Sequence, residues 1–158
     1  MRRKKQYFKY ETSDPLPLEI KVKKRISFSE VDAMAIVWHG RYPLFFEMAA
    51  EELGRKIGLS YDAYRKAGLR APIVQHHIDY HAPLELEEEA VFEARLIWDD
   101  AARLNMEFTL RKENGTTAAT GYTVQMFVDA STGTPCVVLP QLYREIREKW
   151  RNGELYDE

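Results

Sequence analysis

Between Tyr42 and Ile57 the residues Tyr42, Phe45, Phe46, Ala49, Leu53 and Ile57 recur at helical spacing, and Leu44 and Met48 widen the apolar face beyond a single stripe. Pro43 suits a first turn, because the N–H it lacks would have had no acceptor inside the helix, and Gly58 offers a C-terminal stop. A helix this apolar needs cover on several sides. With 158 residues, the length of one ordinary domain, the chain is long enough to bury such a core itself.

The cover must come from strands. Ile20, Val22, Ile26 and Phe28 fall on alternate positions with Lys21, Lys23 and Arg25 between them, which predicts a half-buried strand over Ile20–Phe28. After the long helix and a short helical segment from Tyr61 to Ala67, the period changes. The segments Ile73–His81, Val91–Trp98, Leu104–Leu110 and Ala118–Val128 alternate like strands, and Asn114-Gly115 marks a tight hairpin between the last two. Leu142, Ile146 and Trp150, four apart after Pro140, predict a closing amphipathic helix over Gln141–Trp150. This order is that of an α+β fold rather than of alternating βαβ units. We expect a curved antiparallel sheet of about five strands wrapped around the long helix, with an open face or edge that invites a second copy.

One domain is expected over residues 18–150, preceded by a flexible basic tail (1–17) and followed by a C-terminal tail (151–158). No apolar run approaches the roughly 18 residues that cross a bilayer. The basic N-terminus lacks an apolar stretch of secretory type, and a lone Cys136 cannot form an internal disulfide; both favour the cytoplasm. A net charge of -2 argues against nucleic acid as the main partner.

Residues 30–43, EVDAMAIVWHGRYP, set one acid ahead of a nearly uncharged run that leads into the helix. If the helix starts near Tyr42, the N–H groups of His39, Gly40 and Arg41 lack intrahelical acceptors and lie at the positive end of the macrodipole. They form a ready oxyanion site, and Gly40 would let a carbonyl come close to the backbone. Asp32, in a loop folding back over the same helix end, could attack that carbonyl or take a proton from water. Thioesters suit such a site, because a thiol of pKa roughly 8.5 departs as thiolate without a dedicated general acid. The same aspartate could simply cap its turn, and the imidazole of His39 could simply pack or bond a carbonyl; both readings stay open here.

The run Phe28-Ser29-Glu30-Val31-Asp32-Ala33-Met34-Ala35-Ile36-Val37-Trp38-His39-Gly40-Arg41-Tyr42, followed by Phe45-Phe46-Glu47, resembles the signature of the 4-hydroxybenzoyl-CoA thioesterase family of hotdog-fold acyl-CoA thioesterases. The likeness continues more loosely through His77-Ile78-Asp79-Tyr80-His81-Ala82-Pro83 and on to about Trp150. It implies a sheet wrapped around the central helix, Asp32 as nucleophile or general base, and a backbone N–H donated to the thioester oxygen at His39. It also implies a homodimer in which two subunits share each active site, with assembly into a dimer of dimers left open. Two positions depart from the family: Ala35 stands where Gly is usual, and Arg41 where Asn is usual. The Cβ of Ala35 matters if the loop needs a positive φ there.

Three further residues are candidates for contacting substrate. Trp38 would shape the pocket, Arg41 at its mouth would meet a coenzyme phosphate or face solvent, and Glu47 would line the acyl pocket or remain a solvated acid. No metal site or cofactor is expected: His77 and His81 share one strand face but stand about 13 Å apart at roughly 3.3 Å per residue. The sequence thus reads as an acyl-CoA thioesterase. Two alternatives remain: a non-catalytic hotdog module that binds acyl-CoA, and a thioesterase for acyl groups on a carrier protein.

Overall fold

The computed structural model describes residues 7–157. Strand β1 (Leu18–Arg25) leads through two 3-10 turns to helix α1 (Tyr42–Ile57) and helix α2 (Tyr61–Ala67). There follow β2 (Leu69–Arg70), β3 (Ile73–Tyr80), β4 (Glu89–Ile97), β5 (Arg103–Arg111), β6 (Thr117–Met126), β7 (Val128–Asp129) and helix α3 (Gln141–Arg151). Five strands form one antiparallel sheet in the order β1-β4-β5-β6-β3, and β2 pairs with β7 in a two-residue ladder that periodicity did not suggest. Gly115 adopts φ +85° in the expected tight turn between β5 and β6.

The first strand stops three residues short of the expected Phe28. Glu30 explains this: its carboxylate accepts the Ser27 N–H at 2.8 Å and pairs with the Lys24 ammonium, so the chain curls into a 3-10 turn and leaves Phe28 exposed.

Helix α1 lies against the sheet as its apolar breadth requires. Phe45, Phe46, Ala49, Leu53 and Ile57 are buried, the Phe46 ring stacks on Phe108 with centroids 4.3 Å apart, and Phe45 meets Phe92 at 4.9 Å. Gly121 on β6 permits the first of these contacts, since a Cβ there would lie 2.6 Å from the Phe46 ring. The opposite side of the helix, with Leu44 and Glu47, remains exposed.

Strand β3 forms an edge. The His81 N–H just beyond it bonds the Ala118 carbonyl at 2.8 Å, so by alternation the even-numbered residues His76, Ile78 and Tyr80 turn their N–H and C=O groups to the open side. Of the segment expected as a flexible tail, residues 1–6 lie outside the described ones, while the backbone N–H groups of Tyr7 and Phe8 both donate to buried Glu107 on the outer face of the sheet (2.7 and 2.9 Å). At the other end, the Trp150 indole N–H donates to the Leu16 carbonyl at 2.8 Å, tying α3 to the start of β1.

Candidate active site

Asp32 heads a tight turn closed by the Asp32 N–H to Ile36 C=O bond (2.8 Å) and the Ala35 N–H to Asp32 C=O bond (3.0 Å). Its Oδ1 accepts the Met34 N–H at 2.8 Å. The capping role is therefore real, but it engages one carboxylate oxygen. Ala35 takes φ +59°, the left-handed conformation that glycine adopts without cost, so the Cβ at this position is accommodated under strain. A second loop supports the turn: Val37 N–H donates to Leu84 C=O (2.8 Å) and Leu86 N–H to Ala35 C=O (3.0 Å). Lys112 in turn holds that loop through the Pro83 carbonyl and the Glu88 carboxylate.

The start of α1 carries the free donors. Helix α1 begins at Tyr42, behind a 3-10 turn over His39–Arg41, and the His39 and Gly40 N–H groups find no acceptor among the described residues. Arg41 differs from the expectation of three free donors, because its N–H donates to the Trp38 carbonyl at 2.9 Å. The use of Gly40 also differs. Trp38 lays its indole against Gly40, so that the position without a side chain admits this ring rather than open approach.

Asp32, His39, Tyr42, Tyr80 and His81 line a shared cavity of about 420 Å³. The expected acid and the expected helix-end donor thus meet at one opening. Trp38 flanks it, with 48% of its surface exposed, but neither it, Gly40 nor Arg41 lines the cavity. Arg41 instead turns its guanidinium back to the Ser29 carbonyl at 2.9 Å. Tyr80 and His81 were not singled out as site residues from the sequence. Tyr80 stands at 4.9 Å, edge to face, from Tyr42 and donates its hydroxyl to the His39 carbonyl at 3.2 Å, and burial holds that hydroxyl's pKa above the usual phenol value. The His81 ring shares a hydrogen bond with Thr120 at 2.9 Å. Alternation along β3 was an available signal for Tyr80, which it sets on the face opposite His77 and Asp79, but not for His81, which the same pattern sets with those two.

Glu47 lies elsewhere. It lines a second cavity, of about 430 Å³, between α1, α2 and the inner face of the sheet, and accepts a long hydrogen bond from Tyr61 at 3.5 Å. His76 faces the same cavity, stacked on Phe46 with centroids 5.5 Å apart. Burial, and then the neighbouring His77, push the His76 pKa below the usual imidazole value, which favours a neutral ring.

Residues 26–146 match the family model described as the thioesterase-like superfamily, and the chain belongs to that family. A relative from Aquifex aeolicus (strain VF5), named "Putative esterase", is 32% identical over 87 residues, which are 55% of this chain and 66% of that one; the chain thus spans just under two thirds of this curated relative. The sheet and helix superpose on DHNA-CoA thioesterase from Staphylococcus aureus with a TM-score of 0.73 at 21% identity, covering 85% of this chain and 95% of that one. A Staphylococcus aureus protein solved in complex with CoA gives a TM-score of 0.77 at 17% identity, with 90% of each chain covered. The architecture is the hotdog fold.

Proposed function

We propose that this chain is an acyl-CoA thioesterase of the 4-hydroxybenzoyl-CoA thioesterase kind, acting as a homodimer. The observation that carries the proposal is that Asp32 and His39, whose helix-end N–H has no acceptor among the described residues, line one cavity. In this reading the thioester oxygen accepts the His39 N–H, which strengthens the bond as negative charge develops, while Gly40, which does not line the cavity, seats the Trp38 ring. Asp32 either takes a proton from the attacking water or attacks the carbonyl carbon itself, forming an anhydride that water then cleaves. The coenzyme leaves as thiolate. The family match and a fold neighbour that binds CoA support the thioester of CoA as substrate.

The open edge of β3 supports the dimer. Two-fold antiparallel pairing of two such edges would set the Tyr80 end, beside Asp32, next to the Ile73 end of the partner subunit, where the larger cavity lies. Each Asp32 site would then open onto its partner's chamber.

Release of free thiol from a panel of acyl-CoA thioesters, with the wild type beside Asp32→Asn, tests the reading. We expect turnover by the wild type and a fall of at least a hundredfold in a folded variant. Binding of acyl-CoA without any turnover would instead establish the non-catalytic module. Faster turnover of acyl groups on a carrier protein would make the carrier-linked thioester the substrate.

A further inference from the structure

The register of the sheet runs a single row of side chains along the floor of the larger cavity. His76 on β3 pairs with Thr123 on β6, Thr123 with Met106 on β5, and Met106 with Leu96 on β4, and all four line the cavity. Behind Leu96 the row is closed by its β1 partner Leu18, which is 2% exposed. Along this row the floor begins at the open edge with an imidazole and a hydroxyl and ends on a thioether and the fully buried Leu96, neither of which donates a hydrogen bond. Three inter-strand steps make it about 14 Å long.

The roof has the complementary property. Helix α1 turns Ala50 and Gly54, one helical turn apart, into the cavity, and these small residues leave the space above the row empty. Gly54 is held small for another reason as well: a Cβ there would lie 2.6 Å from the Leu59 carbonyl oxygen.

Resting on the thioesterase reading above, we infer that this chamber selects an unbranched aliphatic acyl chain of medium length. A slot some 14 Å deep takes about ten carbons, given roughly 1.25 Å of advance for each 1.52 Å bond of a zigzag chain. An aliphatic tail buries itself against Met106 and Leu96 at no polar cost. A hydroxylated ring pushed to the same depth strips its hydroxyls of water against Met106 and Leu96, and a shorter acyl group leaves the end unfilled.

The test is a profile of kcat/KM for saturated acyl-CoA thioesters from two to sixteen carbons, together with benzoyl- and 4-hydroxybenzoyl-CoA. We expect a maximum at eight to twelve carbons, at least tenfold above either aryl substrate. Ala50→Phe, which fills the slot from the helix side, should lower the decanoyl-to-hexanoyl ratio at least tenfold; thermal unfolding verifies that the variant is folded, and Leu96→Ala should move the maximum to longer chains. A flat profile, a preference for the aryl thioesters, or an unchanged ratio in folded Ala50→Phe overturns the inference. Calorimetric titration of Asp32→Asn with decanoyl-CoA and benzoyl-CoA separates the two proposals. If nothing is hydrolysed yet decanoyl-CoA binds at least tenfold tighter, the hydrolase reading falls and the chamber stands. Hydrolysis of aryl thioesters with no aliphatic preference in binding leaves the hydrolase and removes the chamber.

Discussion

Trp38 and Gly40 are interlocked: a Cβ on Gly40 would lie 2.2 Å from the nearest atom of the Trp38 ring. The indole therefore covers the turn that delivers the two free N–H groups into α1, and it can do so only because residue 40 has no side chain.

Gly40→Ala should displace that ring without unfolding the chain, because Trp38 is half exposed and can swing outward. We expect a roughly tenfold fall in kcat/KM, a changed tryptophan emission, and a Tm within a few degrees of the wild type. In a Trp38→Ala background the same substitution should cost much less, which a double-mutant cycle measures directly.

Ala35→Gly should relieve the left-handed strain in the Asp32 turn. The relief is on the order of 1–2 kcal/mol for a residue with a Cβ, and the greater freedom of glycine in the unfolded chain returns part of it. A net gain of about 0.5–1 kcal/mol in urea unfolding is the expected result. A loss would mean that the turn draws its geometry from elsewhere.

The brace beneath that turn carries a pH signature. Burial of Glu88 opposes its ionisation, but the Lys112 ammonium at 2.8 Å and the Glu85 N–H at 3.0 Å outweigh this and hold its pKa below the usual carboxylate value. A lowered folded-state pKa contributes stability at neutral pH that is lost as pH falls through the acid range. Lys112→Met should therefore be less stable than the wild type at pH 7 and lose less on going from pH 6 to pH 3. Denaturant melts across that range check the sign.

Ile78→Pro removes an N–H that faces the open edge of β3, so it leaves the bonds to β6 while blocking edge pairing. Sedimentation should show a monomer where the wild type sediments as a dimer, with turnover lost in parallel. A dimer that survives the substitution would place the interface elsewhere.

Much of this architecture was legible because it depends on spacing within single segments. The apolar residues of α1 and the alternation in β3 to β6 each report one face, and one face is enough to place a helix beneath a sheet. That Asp32 and His39 lie close together was readable for the same reason, since the turn and the helix start are only a few residues apart. The Trp38 contact was hidden by its shortness: two residues apart across a 3-10 turn, these positions belong to no period that the sequence displays. Arg41 was placed at a pocket mouth, and only the fold brings the Ser29 carbonyl within its reach. The larger cavity lay further out of sight, because its floor is shared among four strands and exists only in their register.

That arrangement has an evolutionary consequence. Asp32 and the floor residues Thr123, Met106 and Leu96 line separate cavities. With the chamber holding the acyl chain as inferred above, descendants of such a gene could change acyl preference one strand at a time and leave the Asp32 turn as it is. A lineage that exchanged Met106 for a bulkier neighbour would shorten its reach and leave the reactive turn untouched, so paralogues should diverge along the floor sooner than around the aspartate.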